Sequence, residues 1–281
     1  MTTSYAAEHA AHLLVGGLPA ERIHTHAAHC SRIYDYLLHG RDNYSVDREA
    51  AEDALVEFPR LPEVLAADRA FLGRAVRHLV REHGIDQLLD IGVSLPGVGD
   101  AAYSARGINP AVRIVAVDND PIIVAHARAR LTGTDPGATA VLHADLRDPE
   151  TILCDADLHR VLDLSRPVGL LLVSVLHFLP DTDHPHRIVK HLMDGLCAGS
   201  FLALSHATAD QEHDAATAAA QHYQTSQSPI TLRPYRQIEG FLEDLDPVDP
   251  GLAQPPWWRP DSEPAEDPAL NWGYAAVARK P

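Results

Sequence analysis

Three carboxylates stand out for where they fall. They are Asp90 in "LLDIG", Asp118 in "VAVDND" and Asp145 in "HADL". Each closes a short apolar run, so each is expected at the carboxyl end of a strand. An acid there can cap the next helix, sit solvated in a loop, or accept hydrogen bonds from a ligand. For one acid alone the cap or the loop is the better reading. Three acids at three successive strand ends favour a ligand. Gly92, Ser94 and Gly97 fall at the positions of a G-x-G-x-x-G loop with serine at its centre. Such a loop lets a ligand approach the backbone, and its alternative is a tight turn that holds nothing.

The acids discriminate between ligands. Asp90, one residue removed from Gly92, would repel a dinucleotide pyrophosphate and welcome a cation. Asp118 can accept from both hydroxyls of a ribose, and Asp145 from an exocyclic amine such as adenine N6. Together they describe a nucleoside with a positive, unphosphorylated tail. S-adenosyl-L-methionine, a sulfonium with an ammonium group, meets that description. A nicotinamide-dependent oxidoreductase is disfavoured by Asp90.

The elements that must position these acids follow from periodicity. Strands are expected at 87–91, 112–118, 138–145, 168–176 and 200–207, with a last one at 271–280. Helices are expected at 21–38, 46–57, 63–83, 100–106, 120–131, 155–162, 186–196, 210–224 and 231–245. The alternation predicts an α/β fold, a doubly wound and mostly parallel seven-stranded sheet with a Rossmann-like plan. Its final strand, near Gly273–Ala278, is expected to be antiparallel. Residues 1–20 are expected as a flexible tail and 21–84 as an N-terminal helical extension. The remainder, 85–281, forms the main domain, with substrate-side insertions at 208–270.

Composition bounds the partners. Of 281 residues 46% are hydrophobic, enough for a large core. The net charge of −16 argues against binding nucleic acid or an anionic membrane by bulk attraction. Three distant cysteines, Cys30, Cys154 and Cys197, make neither a zinc nor a redox pattern. "DTDHPHR" gathers acids and histidines, but Pro185 interrupts it and a solvated loop is the simpler reading, so no metal is expected. The expectation is a cytoplasmic protein, monomer or homodimer, acting on a small molecule.

Asp90-Ile-Gly92, Val117-Asp118-Asn119-Asp120-Pro121 and Ala144-Asp145-Leu146 resemble successive motifs of class I S-adenosylmethionine-dependent methyltransferases. "SRIYDYLLHGRDNYSVDREA" (31–50), "RAFLGRAVRHLVREHGIDQLLDIGVSLPG" (69–97) and "WRPD" (258–261) narrow the likeness. They are similar to an actinobacterial methyltransferase family formerly classed as a domain of unknown function, from about residue 20 to the C-terminus. Relatives tend to have glycine where Ser94 stands, and often where His39 stands. The resemblance implies S-adenosyl-L-methionine as cofactor, S-adenosyl-L-homocysteine as product, and a role in secondary metabolism.

The segment 31–48 is unusually polar and aromatic for a packing helix. It is expected to close over the cofactor as a lid, with Arg32, Tyr34, Tyr36, Asn43 and Tyr44 as cofactor contacts, or else to dock on the sheet as an amphipathic helix. Asp90, Gly92, Ser94, Asp118, Asn119, Asp145, Leu146 and Ser174 complete the expected cofactor set. Methyl transfer needs alignment of the nucleophile, and a base only where the acceptor is protonated. His177 and His206 follow or end strands on the ligand side and are the candidates for that base. Their alternative is simple packing, the commoner fate among 18 histidines. Trp257, Trp258 and His177 are candidate acceptor contacts, and the tryptophans equally suit closure of a Pro-rich loop. A rival function keeps the same cofactor without methylation, as in a cyclase or a ligand-sensing module.

Overall fold

A computed structural model of the chain describes residues 14–15, 18–19, 26–93, 100–131, 138–211, 213–223, 229–263 and 272–281. One sheet holds β1 (Gln87–Ile91), β2 (Arg113–Asp118), β3 (Thr139–His143), β4 (Gly169–Leu172), β5 (Phe201–Ala207), β6 (Asp246–Pro247) and β7 (Gly273–Arg279). The helices are α1 (Cys30–Leu37), α2 (Ser45–Glu57), α3 (Leu61–Arg77), α4 (Ala101–Arg106), α5 (Pro121–Leu131) and α6 (Pro149–Leu153). They continue with α7 (Ala156–Val161), α8 (Pro185–Asp194), α9 (His213–Tyr223) and α10 (Tyr235–Glu239). Apart from the sheet, Leu14–Val15 pairs antiparallel with Leu18–Pro19. These four are the only described residues of the expected tail.

The strand order is β3-β2-β1-β4-β5-β7-β6. Neighbours are parallel except where β7 runs against β5 and β6. The expected doubly wound sheet and its antiparallel last strand are both present. The period of two along each strand explains why the sheet is covered on both faces. Leu89, Ile91, Val115, Val117, Leu170 and Leu172 enter one core, under α7 and α8. Leu88, Ile114, Ala116, Leu171 and Ala203 enter the other, under α3, α4 and α5.

Several elements differ from the periodic expectation, each for a local reason. The run 168–176 is a strand only to Leu172, because Ser174 turns left-handed at φ 55°. The helix expected over 63–83 is regular to Arg77 and then widens into a π turn at His78–Glu82. The stretch 231–245 contributes only α10 and a 3₁₀ turn at Gly240–Leu242, since Pro234 delays the helix start. α6 is too short to show a period. His39 sits at φ 62°, the conformation that favours the glycine common in the resembling family.

The N-terminal helices pack on one another through Ile33, Leu37, Ala51 and Ala54. They are tied to the sheet by charge. Arg32 is 2% exposed and reaches in three directions. Its Nε donates to Asp47 at 2.9 Å, its Nη1 to Asp120 at 2.8 Å and its Nη2 to the Ala27 carbonyl at 2.6 Å. Asp47, fully buried, also accepts from the backbone N–H groups of His29 and Tyr44. Removing one partner of a buried pair strands the other charge, which costs about 3–5 kcal/mol. Arg32→Ala is therefore expected to lower folding stability by about that amount in urea denaturation. A loss below about 1 kcal/mol would place the pair among weak surface bridges.

Candidate active site

The sheet order reverses between β1 and β4, and the chain leaves these two strands toward opposite faces of the sheet, to α4 and to α8. A crevice opens there, as it does at such switch points. Gly92 takes φ 81°, and a Cβ on it would meet Val175 Cγ2 at 2.6 Å. Its N–H donates to the Val117 carbonyl at 2.8 Å, so the turn after β1 is fastened to β2. Only glycine satisfies the angle and the space together.

Two cavities meet at this turn. The first, of about 340 Å³, runs over the ends of β2 and β3, past Asp118, Asn119, Asp145 and Leu146. The second, of about 180 Å³, lies under α3 and α9 and is walled by residues such as Leu65, Leu72, Ala219, Leu232 and Trp272. Cys30, Ser31, Gly92, Ser174 and Phe178 line both.

Asp118 is 5% exposed, and its Oδ1 accepts from the Asp120 N–H at 2.8 Å. Burial pushes its carboxyl well above the usual carboxylate range. Asp145 is more open. It accepts from Asn119 Nδ2 at 3.3 Å and pairs with Arg147 at 3.0 Å. Arg147 is anchored in turn on Asp183 at 2.8 Å. Asp90 opens onto the second cavity, where burial and then Asp100 push it up to about 7, against the pull of Arg69.

The expected lid enters the site only by its first turn. Cys30, Ser31, Arg32 and Tyr34 line the cavities. Tyr36, Asn43 and Tyr44 line neither. The Tyr36 hydroxyl donates to Glu52, Asn43 donates to Asp35, and Tyr44 is 39% exposed beside the Arg32 guanidinium. Tyr36 thus faces α2, and Asn43, in the loop between the helices, folds back on α1. Arg32 itself is spent on Asp47 and Asp120. Ser94 and Gly97 lie outside the described residues.

The expected acceptor contacts also divide. Trp258 is fully buried in a core, edge-on to Phe71 with ring centroids 5.2 Å apart, and lines neither cavity. Trp257 does not line them either, and of that loop only Pro255 reaches the second cavity. Arg74 pins the loop through the Trp258 and Pro255 carbonyls. Both His177 and His206 line the second cavity. His206 is occupied at both nitrogens, Nδ1 against the Ala207 carbonyl at 2.7 Å and Nε2 against Arg233 at 2.9 Å. The Ala207 N–H donates to His177 Nδ1 at 3.4 Å. Burial, helped by Arg233, pushes His177 down to about 3.

Sequence reasoning missed His29, Asp68, Phe178 and Arg233. His29 precedes the quoted motif by two residues. Asp68 reads as one polar position in an amphipathic helix. Phe178 follows a strand that ends early, and Arg233 acquires its role from partners tens of residues away.

The family model described as S-adenosyl methyltransferase matches residues 17–281. The chain belongs to that family. Its cofactor is S-adenosyl-L-methionine. This methyltransferase is similar to the crystal structure of a DUF574 family protein from Streptomyces avermitilis, with 39% identity and a TM-score of 0.89. The match covers 92% of this chain and 100% of that one. It is also similar to a methyltransferase candidate from Thermobifida fusca, with 35% identity, a TM-score of 0.86, and coverage of 93% and 98%. The N-methyltransferase NodS of Bradyrhizobium japonicum with S-adenosyl-L-homocysteine shares the fold, at 14% identity, a TM-score of 0.50, and coverage of 89% and 99%. No curated protein matches the methyltransferase. Among its described residues no helix is long and apolar enough to cross a membrane.

Two predictions follow from this geometry. Losing the Asp118 acceptor should cost about 1–3 kcal/mol, so Asp118→Ala is expected to weaken S-adenosyl-L-homocysteine roughly 5- to 150-fold by calorimetry. An unchanged dissociation constant in the folded variant would remove Asp118 from the cofactor site. The second concerns His29, which lies 3.3 Å from Asp120. Burial lowers its pKa, but Cys30 and then Asp120 and Asp118 outweigh burial and raise it from 6.5 to about 9. Its protonation therefore stabilises the fold fully below pH 6.5, and the benefit is lost as pH rises through 9. The loss amounts to at most about 3 kcal/mol. Urea midpoints at pH 6.5 and 9 should fall in the native protein and fall less in His29→Gln. Equal falls in the two would discard the assignment.

Proposed function

We propose that this methyltransferase transfers the methyl group to a small apolar molecule, and that its two joined cavities divide the work. The observation that carries this reading is the meeting of a polar cavity and an apolar one at Gly92 and Ser174. The residues of the polar cavity suit the cofactor. Asp118 is a buried acceptor for ribose hydroxyls, whose donation favours its ionised form. Asp145 offers an acceptor to an adenine amine at the rim. Leu146, Phe178 and Leu179 supply apolar walls for a purine. Asp90, beyond Gly92, balances an ammonium group, and a cation there favours its ionised form.

S-adenosyl-L-methionine brings a methyl group already activated by the sulfonium. The residues of the chain are left to bind, align and exclude water. Ser174, Cys30 and Phe178 stand where the two cavities touch, and they set the approach of the acceptor. The apolar chamber suits a compact secondary metabolite better than a nucleic acid or protein chain.

Calorimetry with S-adenosyl-L-homocysteine and NADH, followed by assay of methyl-labelled S-adenosyl-L-methionine against a panel of phenols and amines, tests the reading. S-adenosyl-L-homocysteine should bind, NADH should not, and label should pass to at least one panel member. Gly92→Ala should weaken S-adenosyl-L-homocysteine at least about tenfold, because the added methyl displaces Val175 into the polar cavity. Binding of NADH instead, or full affinity in Gly92→Ala, would overturn it.

A further inference from the structure

A hydroxyl acceptor must lose a proton during methyl transfer, and the two histidines are poorly placed to take it. His206 has both nitrogens engaged. His177 spends its Nδ1 lone pair on the Ala207 N–H, which leaves the proton on Nε2. Neutral and hydrogen-bearing there, it can donate a bond to a substrate oxygen but is a weak base. Attention passes to the carboxylates of the apolar cavity, Asp68, Asp90 and Asp100. Asp100 caps α4 by accepting the Tyr103 N–H at 2.6 Å. Asp90 is the partner assigned to the cofactor's ammonium group.

Asp68 has no such duty and an unusual setting. It lies on α3, 7% exposed, on the wall of the apolar cavity. Ser174 Oγ donates to its Oδ2 at 2.5 Å. Ser174 is also where the cavities join, and its left-handed backbone is held by the bond from its N–H to Ser205 Oγ at 2.9 Å. A non-glycine residue in that conformation carries strain, which persists only where neighbours impose it. Here two bonds fix the hydroxyl between a buried carboxylate and the transfer point. The ionisable groups around Asp68 are Tyr34 from α1 and Arg69 and Arg74 from its own helix. Asp90, Asp100, His177 and His206 line the same cavity.

We infer that the acceptor is an uncharged apolar molecule bearing a hydroxyl, that this hydroxyl docks on Ser174, and that Asp68 behind Ser174 is the positioning residue that receives its proton. The inference rests on the function proposed above. The acceptor O–H bond breaks and its oxygen bonds to the methyl carbon, while the carbon–sulfur bond breaks with its electron pair going to sulfur. The acceptor proton passes to Ser174 Oγ as the serine's own proton passes to Asp68, which ends as the neutral acid. No oxidant, reductant or further reactant is needed. Burial raises the Asp68 carboxyl from its ordinary value, against the pull of the Ser174 and Ser205 hydrogen bonds, which makes it the better acceptor. An anionic acceptor would meet three carboxylates in the same chamber.

The test uses the full chain saturated with S-adenosyl-L-homocysteine, with 2-naphthol and its methyl ether as probes. Calorimetry should show 2-naphthol binding at least about tenfold more tightly than 2-methoxynaphthalene, which has no proton to donate. The preference should vanish in Asp68→Asn and in Ser174→Ala, and in the native protein it should fade as pH falls through the Asp68 titration. With S-adenosyl-L-methionine, bound 2-naphthol should be methylated, and about 100-fold more slowly in Asp68→Asn at unchanged S-adenosyl-L-homocysteine affinity. Ser174→Ala, a smaller change, decides the matter if Asp68→Asn does not fold. Equal affinity for the two probes, no binding of either, a pH-independent preference, or equal turnover in the variants would overturn the inference while leaving cofactor binding intact. Failure to bind S-adenosyl-L-homocysteine at all would overturn the proposed function beneath it.

Discussion

One buried guanidinium connects the two parts of this molecule that wall the polar cavity. Arg32 spans from Asp47 at the start of α2 to Asp120 just past β2. Asp120 in turn gives its backbone N–H to Asp118, and its Oδ1 accepts from Ile122 at the start of α5. A chain of bonds therefore runs from the N-terminal helices to Asp118, the carboxylate proposed to meet the ribose. Charges taken this far from water are costly unless every oxygen is engaged. That requirement explains why Asp47 also accepts two backbone N–H groups and why His29 leans on Asp120. The N-terminal segment is part of the wall of the site, held at its first turn, rather than a flap laid over it.

The sheet supplies the other half of the placement. Alternate side chains along β1, β2 and β4 enter opposite cores, so each central strand is locked in register from both sides. A slip of one residue would carry Leu88, Leu171 and their neighbours into the wrong core and turn Asp118 away from the crevice. Register thus fixes the acids, and the reversal of strand order between β1 and β4 fixes the crevice.

Much of this was legible in the sequence, and the boundary of legibility has a physical basis. Apolar runs ended by Asp90, Asp118 and Asp145 report their own location, because strand, turn and acid are neighbours in the chain. Tyr36, Asn43 and Tyr44 look equally suited to a ligand, but Tyr36 bonds Glu52, Asn43 bonds Asp35 and Tyr44 lies at the surface. Nothing local distinguishes a tyrosine that faces α2 from one that faces the sheet. Trp258 carries the same lesson. Its partner Phe71 lies on α3, nearly two hundred residues earlier, so its burial could not be read from the loop around it. Asp68 was invisible for the opposite reason, since a lone acid on an amphipathic helix normally marks the solvent face.

The proposed proton path asks for no histidine base. Methyl transfer asks chiefly for alignment, and alignment here comes from groups whose own freedom has been removed. Arg233, 1% exposed, donates to the Leu176 and Leu179 carbonyls, to Asp181 and to His206. It thereby stiffens the stretch after β4 that carries His177 and Phe178. Burial first, and the same cation after it, discourages protonation of both histidines, so this wall is rigid but weakly basic. On the proposed path basicity comes instead from α3, which brings a carboxylate against Ser174 at the junction. On that path rigidity and proton acceptance fall to different groups, Arg233 for the first and Asp68 for the second.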